Sequence, residues 1–192
     1  MKNTFESGHF NGYRVVNLRS AQGNPKLCPG GKTTIFLSHK HDDLNDLYGV
    51  IGFLEKEYDV KCYIDGLDPS MPKVTSAETA KKIKDRIRTC RKFILMATSG
   101  AVESKWCNWE LGYGDALRYE KDEIAILPIR MKLEAEKDFK GNEYMDLYPT
   151  IVFRDGTTTY DSGSPINRGY YVRRKTGSGY YSLTPLKEWL SR

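Results

Sequence analysis

Phe93-Ile94-Leu95-Met96-Ala97 is a nearly continuous apolar run. A half-wet antiparallel strand alternates apolar with polar residues, whereas a strand covered by helices on both faces does not. The run therefore predicts a central parallel strand. Parallel neighbours need crossover connections, and the flanking sequence supplies them. Downstream, a helix from about Val102 to Tyr119 carries apolar residues on more than one side and should be well buried. Ile124 to Ile129 follows as a further strand, where the donor missing at Pro128 points to an edge position or a strand end. Upstream, Ala80, Ile83, Ile87 and Cys90 line one helical face, and Thr75 with Glu78 has capping-box spacing at its start.

Val60 to Ile64 is a short strand, and Asp65 to Lys73 is a loop, because two prolines and a glycine fit neither regular element. Further upstream, Thr33 to Leu37 is a β-rich run ended by the polar cluster Ser38-His39-Lys40-His41-Asp42-Asp43. Leu44, Leu47, Tyr48, Ile51 and Leu54 then recur at helical spacing. Strands alternating with helices in this way predict an α/β fold, an open, mostly parallel sheet with helices on both faces.

The ends of the chain are less regular. Residues 1–32 read as an N-terminal extension or irregular strand, closing in the turn-like Cys28-Pro29-Gly30-Gly31. Residues 33–130 form the α/β core, and 131–192 a C-terminal part of the same domain or an extension. In that last part Lys132 to Lys140 reads as a short helix, Thr150 to Phe153 as a strand, and Asp155 to Gly179 as loops or a hairpin. Thr184-Pro185 opens a final helix, with threonine as cap and proline in the first turn.

Composition narrows the classes of function. With 192 residues, the chain can bury one sizeable core. Its apolar runs fall far short of the roughly 20 residues of a membrane span. MKNTFESGHF lacks the apolar centre of a secretory signal, so a cytoplasmic protein is expected. The net charge of +5 is spread along the chain without a basic stripe or recognition helix, which argues against a nucleic-acid partner. Cys28, Cys62, Cys90 and Cys107 are scattered without a CxxC pair and read as buried free thiols.

In a sheet of this kind, ligands collect beyond the carboxyl ends of the strands. The loops there are Ser38 to Asp43, Asp65 to Ser76 and Thr98 to Lys105. Two alternative sites fail on spacing. Gly30-Gly31-Lys32-Thr33 looks like the end of a phosphate-binding loop, but the pattern needs glycine where Lys26 stands and should follow a strand. His39 and His41 with Asp42 and Asp43 lack a marked distant ligand, so no metal is expected; helix capping by Asp42 or Asp43 is the simpler reading.

The segment Ser104-Lys105-Trp106-Cys107-Asn108-Trp109-Glu110-Leu111-Gly112 says more. On a helix, Trp106 and Glu110 lie four apart, and Tyr113 and Leu117 extend the face. That places a carboxylate in an aromatic and aliphatic stripe. Glutamate is rarely buried without a partner or a task. The pattern alone leaves a functional carboxylate, a structural ion pair and an outward tilt all open.

Over about residues 33–130 the chain resembles the TIR (Toll/interleukin-1 receptor-like) domain family. Ile35-Phe36-Leu37-Ser38-His39 followed by Asp42-Asp43 looks like its first signature, and Tyr63-Ile64-Asp65 with the proline-containing loop like its second strand and following loop. Ser104 to Leu111 is similar to the S-x-W-C-x-x-E-L pattern of catalytic plant and bacterial members. The resemblance implies a flavodoxin-like sheet with N- and C-terminal extensions. It is closest in character to bacterial antiphage, Thoeris-like TIR proteins that consume NAD and produce an immune signal.

It further implies that Glu110 is catalytic, that NAD is the substrate, and that no cofactor is needed. Ser38, His39, Lys40, Asp43, Asp65, Ser76, Trp106 and Trp109 become the substrate-binding candidates. Expected partners are other copies of the chain, through the TIR domain, and a downstream effector that senses the product. The expected chemistry is NAD hydrolysis, or ADP-ribosyl cyclisation or transfer, after cleavage of the nicotinamide–ribose bond. A non-catalytic TIR interaction module and a nucleoside-cleaving enzyme are the alternatives.

Overall fold

The computed structural model describes residues 4–15, 31–72, 74–131, 143–177 and 179–192. Its centre is an eight-stranded sheet in the order β3-β2-β4-β5-β6-β7-β8, with β1 paired to β5. The parallel part comprises β2 (Thr34–Ser38), β3 (Lys61–Tyr63), β4 (Lys92–Ala97), β5 (Ile124–Arg130) and β6 (Thr150–Arg154). Counted from β2, these strands follow the order 2-1-3-4-5 of the flavodoxin-like sheet that the family resemblance implies. The short β1 (Phe5–Glu6) runs parallel to β5, while β7 (Gly169–Lys175) and β8 (Tyr181–Pro185) extend the sheet antiparallel beyond β6.

Residue alternation sorts the helices between two faces. Ile35, Leu37, Ile94, Met96, Ala125 and Leu127 point to one core, where α1 (Leu44–Tyr58) and α5 (Leu186–Ser191) pack. Phe36, Phe93, Leu95, Ile124 and Ile126 point to the other, covered by α2 (Ala77–Thr89), α3 (Ser99–Glu103) and α4 (Lys105–Arg118). Ser38 stands two residues after Phe36 and so faces the α4 side.

Several local expectations are corrected. The helix expected from Val102 to Tyr119 is two helices: Thr98 caps α3 through the Ala101 N–H, and Ser104 caps α4 through the Cys107 N–H. The cap of α2 is Ser76, which accepts from Thr79 N, and not Thr75. At the C-terminus Thr184 and Pro185 finish β8, and Pro185 occupies the cap position of α5 without a side-chain cap bond. Asp43 precedes α1 but makes no side-chain cap bond. The helix expected at Lys132 to Lys140 lies outside the described residues.

Pro128 belongs to a central strand, not an edge. The Ile126 N–H donates to Pro149 O, and Arg130 O accepts from the Ser7 N–H. Residues 126, 128 and 130 therefore present their polar groups to the same side. Pairing with β6 covers only Ile126, and β1 takes over at Ile129 and Arg130, so Pro128 falls where β5 changes neighbours.

The N-terminal segment docks on α1. Phe10 is buried, and a Cβ at Gly49 would fall 2.8 Å from Phe10 O, so only glycine admits the segment this close. Of the Asp155 to Gly179 region, read as loops or a hairpin, Gly169–Lys175 is β7, which pairs antiparallel with β6 before it and with β8 beyond it. Cys62, Cys90 and Cys107 are buried thiols outside any disulfide among the described residues, and Cys28 lies outside the described residues.

Candidate active site

The site lies at the carboxyl ends of β2 and β4, the point where strand order reverses. Glu110 reaches it from the sheet-facing side of α4, next to buried Cys107, Leu111 and Gly114. A Cβ at Gly114 would stand 2.9 Å from Phe93 Cδ2, so the missing side chain lets α4 lie close on β4. That approach brings the carboxylate onto Ser38, whose Oγ donates to Glu110 Oε2 at 2.6 Å.

Glu110 is 2% exposed, and its Oε1 has no hydrogen-bond partner among the described residues. Burial, with the Asp65 charge adding to it, pushes the Glu110 carboxyl well above the ordinary glutamate range; the hydrogen bond from Ser38 opposes the shift. A buried carboxyl with one oxygen anchored and the other unclaimed is costly for folding alone. Among the described residues no cation pairs with Glu110, and the side chain is buried instead of tilted outward.

The loop after β2 brings further polar groups to the same end of the sheet. His39 is buried, and its Nδ1 lies 3.3 Å from Leu37 O, so that nitrogen carries the donor proton. Burial lowers the His39 pKa, against the influence of Asp65. Asp43 accepts from Thr98 Oγ1 at 2.5 Å, joining the loop after β2 to the loop after β4. Burial raises the Asp43 pKa, and the Thr98 bond works the other way. Lys40 lies along Gly100 at the start of α3, where a Cβ would meet its Cδ at 2.7 Å, and its Nζ is 3.6 Å from Asp42.

Trp106 and Trp109 stack with ring centroids 5.1 Å apart, and Trp109 stacks on Tyr113 at 6.3 Å. Lys84 of α2 lies over both Trp109 and Tyr113. Of the candidate residues, Ser38 by its hydrogen bond and Asp65 by its charge converge on Glu110, and Trp106 lies one helical turn before it on α4. His39 and Asp43 flank them. Trp109 belongs to the α2–α4 seam, and Ser76 spends its hydroxyl on the start of α2.

Thr98 and Cys107 escaped the sequence reading as site residues. Thr98 carries a signal in hindsight, a threonine directly after a buried strand. Cys107, whose thiol pKa is raised by burial and which contacts Ser104 and Ser38, carries its signal in the S-x-W-C-x-x-E-L pattern, where it stands three residues before Glu110. Among the described residues, no three His, Cys, Asp or Glu side chains gather as a metal site, and no helix is long and apolar enough to cross a membrane.

An open flavodoxin-like sheet with a buried helix glutamate at its switch point is the arrangement of a TIR domain, and the TIR domain family model matches residues 35–157. The chain belongs to that family. A curated relative, "Probable 3' cyclic ADP-D-ribose synthase ThsB'" of Bacillus cereus (strain MSX-D12), is 32% identical over 120 residues. The match covers 61% of this chain and 59% of the relative, so the chain spans less than two thirds of that protein's length. Among solved structures, a 2-desoxiribosyltransferase from Leishmania mexicana is 19% identical over 70% of this chain and 79% of its own, at a TM-score of 0.32, too low to bear on function.

Proposed function

We propose that this chain cleaves the nicotinamide–ribose bond of NAD and converts the ADP-ribose moiety, by internal attack, into a cyclic immune signal of bacterial antiphage defence. The observation that carries the reading is Glu110, buried on α4 with Oε2 held by Ser38 and Oε1 without a partner among the described residues. The choice of a cyclic product is supported by the name of the Bacillus cereus relative.

Nicotinamide in NAD is already a cationic leaving group, so the protein's task is to stabilise positive charge at the ribose carbon and to place the nucleophile. Glu110 rests in surroundings that favour its neutral form. A cationic substrate entering beside it favours ionisation, and the carboxylate then opposes the charge that grows as the C–N bond breaks. The electron pair of that bond leaves with nicotinamide, which departs neutral.

In cyclisation a hydroxyl of the same molecule forms the new bond to the ribose carbon and releases its proton to water. A well-oriented internal group competes against water at effective molarities of roughly 10⁵ M or more. Ser38 positions the carboxylate, and Trp106 supplies an apolar wall. His39, Lys40, Asp43 and Asp65 line the polar rim for the substrate, with Trp109 and Ser76 as outlying candidates. The protein acts in the cytoplasm, assembles with copies of itself through the TIR domain, and signals to an effector that senses the product.

The test is incubation of the purified chain with NAD, following nicotinamide release and identifying the remaining product by mass spectrometry. Nicotinamide with a cyclic product supports the proposal. ADP-ribose alone replaces cyclase with hydrolase, and cleavage of deoxynucleosides instead of NAD supports the nucleoside-cleaving alternative. Silence at high protein concentration and with infected-cell extract favours a non-catalytic assembly module.

A further inference from the structure

The loop that follows β3 carries Asp65 at the start of a single 3-10 turn, Asp65–Leu67. Its carboxylate lies within electrostatic reach of both Glu110 and His39. What fixes this loop is Asp68, which is 6% exposed. Tyr63 Oη donates to Asp68 Oδ2 at 2.8 Å from β3. Arg86 of α2 donates to the same oxygen through Nε at 3.0 Å, with a second guanidinium nitrogen also at 3.0 Å.

Asp68 Oδ1 accepts from both Ser70 N and Ser70 Oγ, at 2.9 and 2.7 Å, closing the turn on itself. Arg86 also donates to Ser70 Oγ at 3.2 Å, Lys82 donates to Ser70 O at 2.6 Å, and the Arg86 guanidinium lies 5.7 Å over the Tyr63 ring. One buried carboxylate thus ties three elements together: the strand, the loop and α2. Replacing either partner leaves the other charged and unpaired.

We propose that Asp68 and Arg86 are positioning residues for the active site: they latch the 65–71 segment to α2 and thereby keep the Asp65 carboxylate within electrostatic reach of Glu110. The sequence reading treats Asp65 to Ser76 as a rim loop; the latch specifies what holds its first half. The inference deepens the proposed NAD chemistry and rests on it for its consequence in catalysis, but not for its structural content.

Electrostatics agrees with the geometry. Burial pushes the Asp68 pKa up, but hydrogen bonds from Ser70, Tyr63 and Arg86 outweigh it, so Asp68 sits below the ordinary aspartate range and the latch is ionised at neutral pH. Glu110 faces Asp65 from the loop, Ser38 from β2, and Trp106 and Cys107 from its own helix. Of these, Asp65 is the charged group whose position the latch controls. When the latch opens, that negative charge recedes and water enters, and both effects favour ionisation of Glu110.

The test uses the full chain, as wild type, Asp68→Asn, Arg86→Gln and Arg86→Lys. Amide hydrogen exchange over residues 65–72 reports the latch, and carboxyl ¹³C NMR of labelled glutamate reports the titration of Glu110 without requiring NAD or turnover. Asp68→Asn and Arg86→Gln should speed exchange in the segment roughly tenfold or more, the consequence of losing a hydrogen bond to a charged group. They should also move the Glu110 midpoint to lower pH, with Arg86→Lys recovering part of both effects.

Arg86→Gln keeps the experiment decisive if Asp68→Asn fails to fold. A Glu110 titration that stays in place while loop exchange or thermal stability changes assigns Asp68 and Arg86 a structural role only and overturns the proposal. A shifted titration in a protein that never cleaves NAD leaves the latch standing and removes the proposed function instead.

Discussion

Ser38→Ala removes the hydroxyl that holds Glu110 Oε2 at 2.6 Å, in a place where Ser38 is 1% and Glu110 2% exposed. Water does not readily replace the lost donor there, and Glu110 Oε1 already lacks a partner among the described residues, so both carboxyl oxygens become orphans. An unsatisfied buried acceptor costs about 1–3 kcal/mol, which sets the expected loss of stability. A hydrogen bond to a charged group contributes about 1.5–3 kcal/mol, and at 1.36 kcal/mol per decade its loss from the ionised carboxylate slows nicotinamide release roughly 10- to 150-fold. The Ser38 bond lowers the Glu110 pKa, so the alanine variant should need a higher pH for half-maximal rate. The assay is kcat for nicotinamide release across pH, with Ser38→Thr as the hydroxyl-retaining control. A Ser38→Ala enzyme with unchanged kcat and an unchanged pH midpoint would refute the role given to this bond.

Gly114→Ala should destabilise the fold by about 1–3 kcal/mol through overpacking, because the added methyl meets Phe93 at 2.9 Å and Phe93 is itself stacked on Phe36; urea denaturation measures it. Lys92 is 1% exposed, with its Nζ 4.6 Å over the Trp189 ring, and burial lowers its pKa to about 8 from the usual 10.5. Its contribution to stability is present above pH 10.5 and is lost as the pH falls through about 8, so Lys92→Met should gain stability over wild type below that pH and flatten the slope between. Equal pH–stability curves for the two proteins would contradict this. EDTA should leave NAD turnover unchanged, and a loss restored by one added metal would return His39 and His41 as ligands.

The parallel core was legible because its signals are local. Phe93 to Ala97 lacks alternation since both faces are covered, and the helical spacing of Leu47, Ile51 and Leu54 records contact with one face of the sheet. Pro128 misled because a proline marks a missing donor without saying which neighbour stops pairing; here it is the handover from β6 to β1, a tertiary event. The break between α3 and α4 was written in Ser104, but apolar residues on both sides masked the cap. Of the site, Glu110 stood out by its place in an aromatic stripe and by family likeness. The Ser38 contact spans 72 residues, and the Asp68–Arg86 latch joins a loop to a helix face across 18, so neither leaves a periodic trace.

The central claim is that the Glu110 charge, and not the bulk of its side chain, drives cleavage. Glu110→Gln retains size and a hydrogen-bond acceptor for Ser38 while removing the charge that opposes the growing ribose cation. The measurement is nicotinamide release from NAD by wild type and Glu110→Gln, each shown by circular dichroism to be folded and each assayed for binding of intact NAD. The account predicts a rate lower by roughly 10²- to 10⁴-fold, equivalent to about 3–5 kcal/mol of transition-state stabilisation, with NAD binding weakened far less. Equal rates from wild type and a folded Glu110→Gln protein would contradict it.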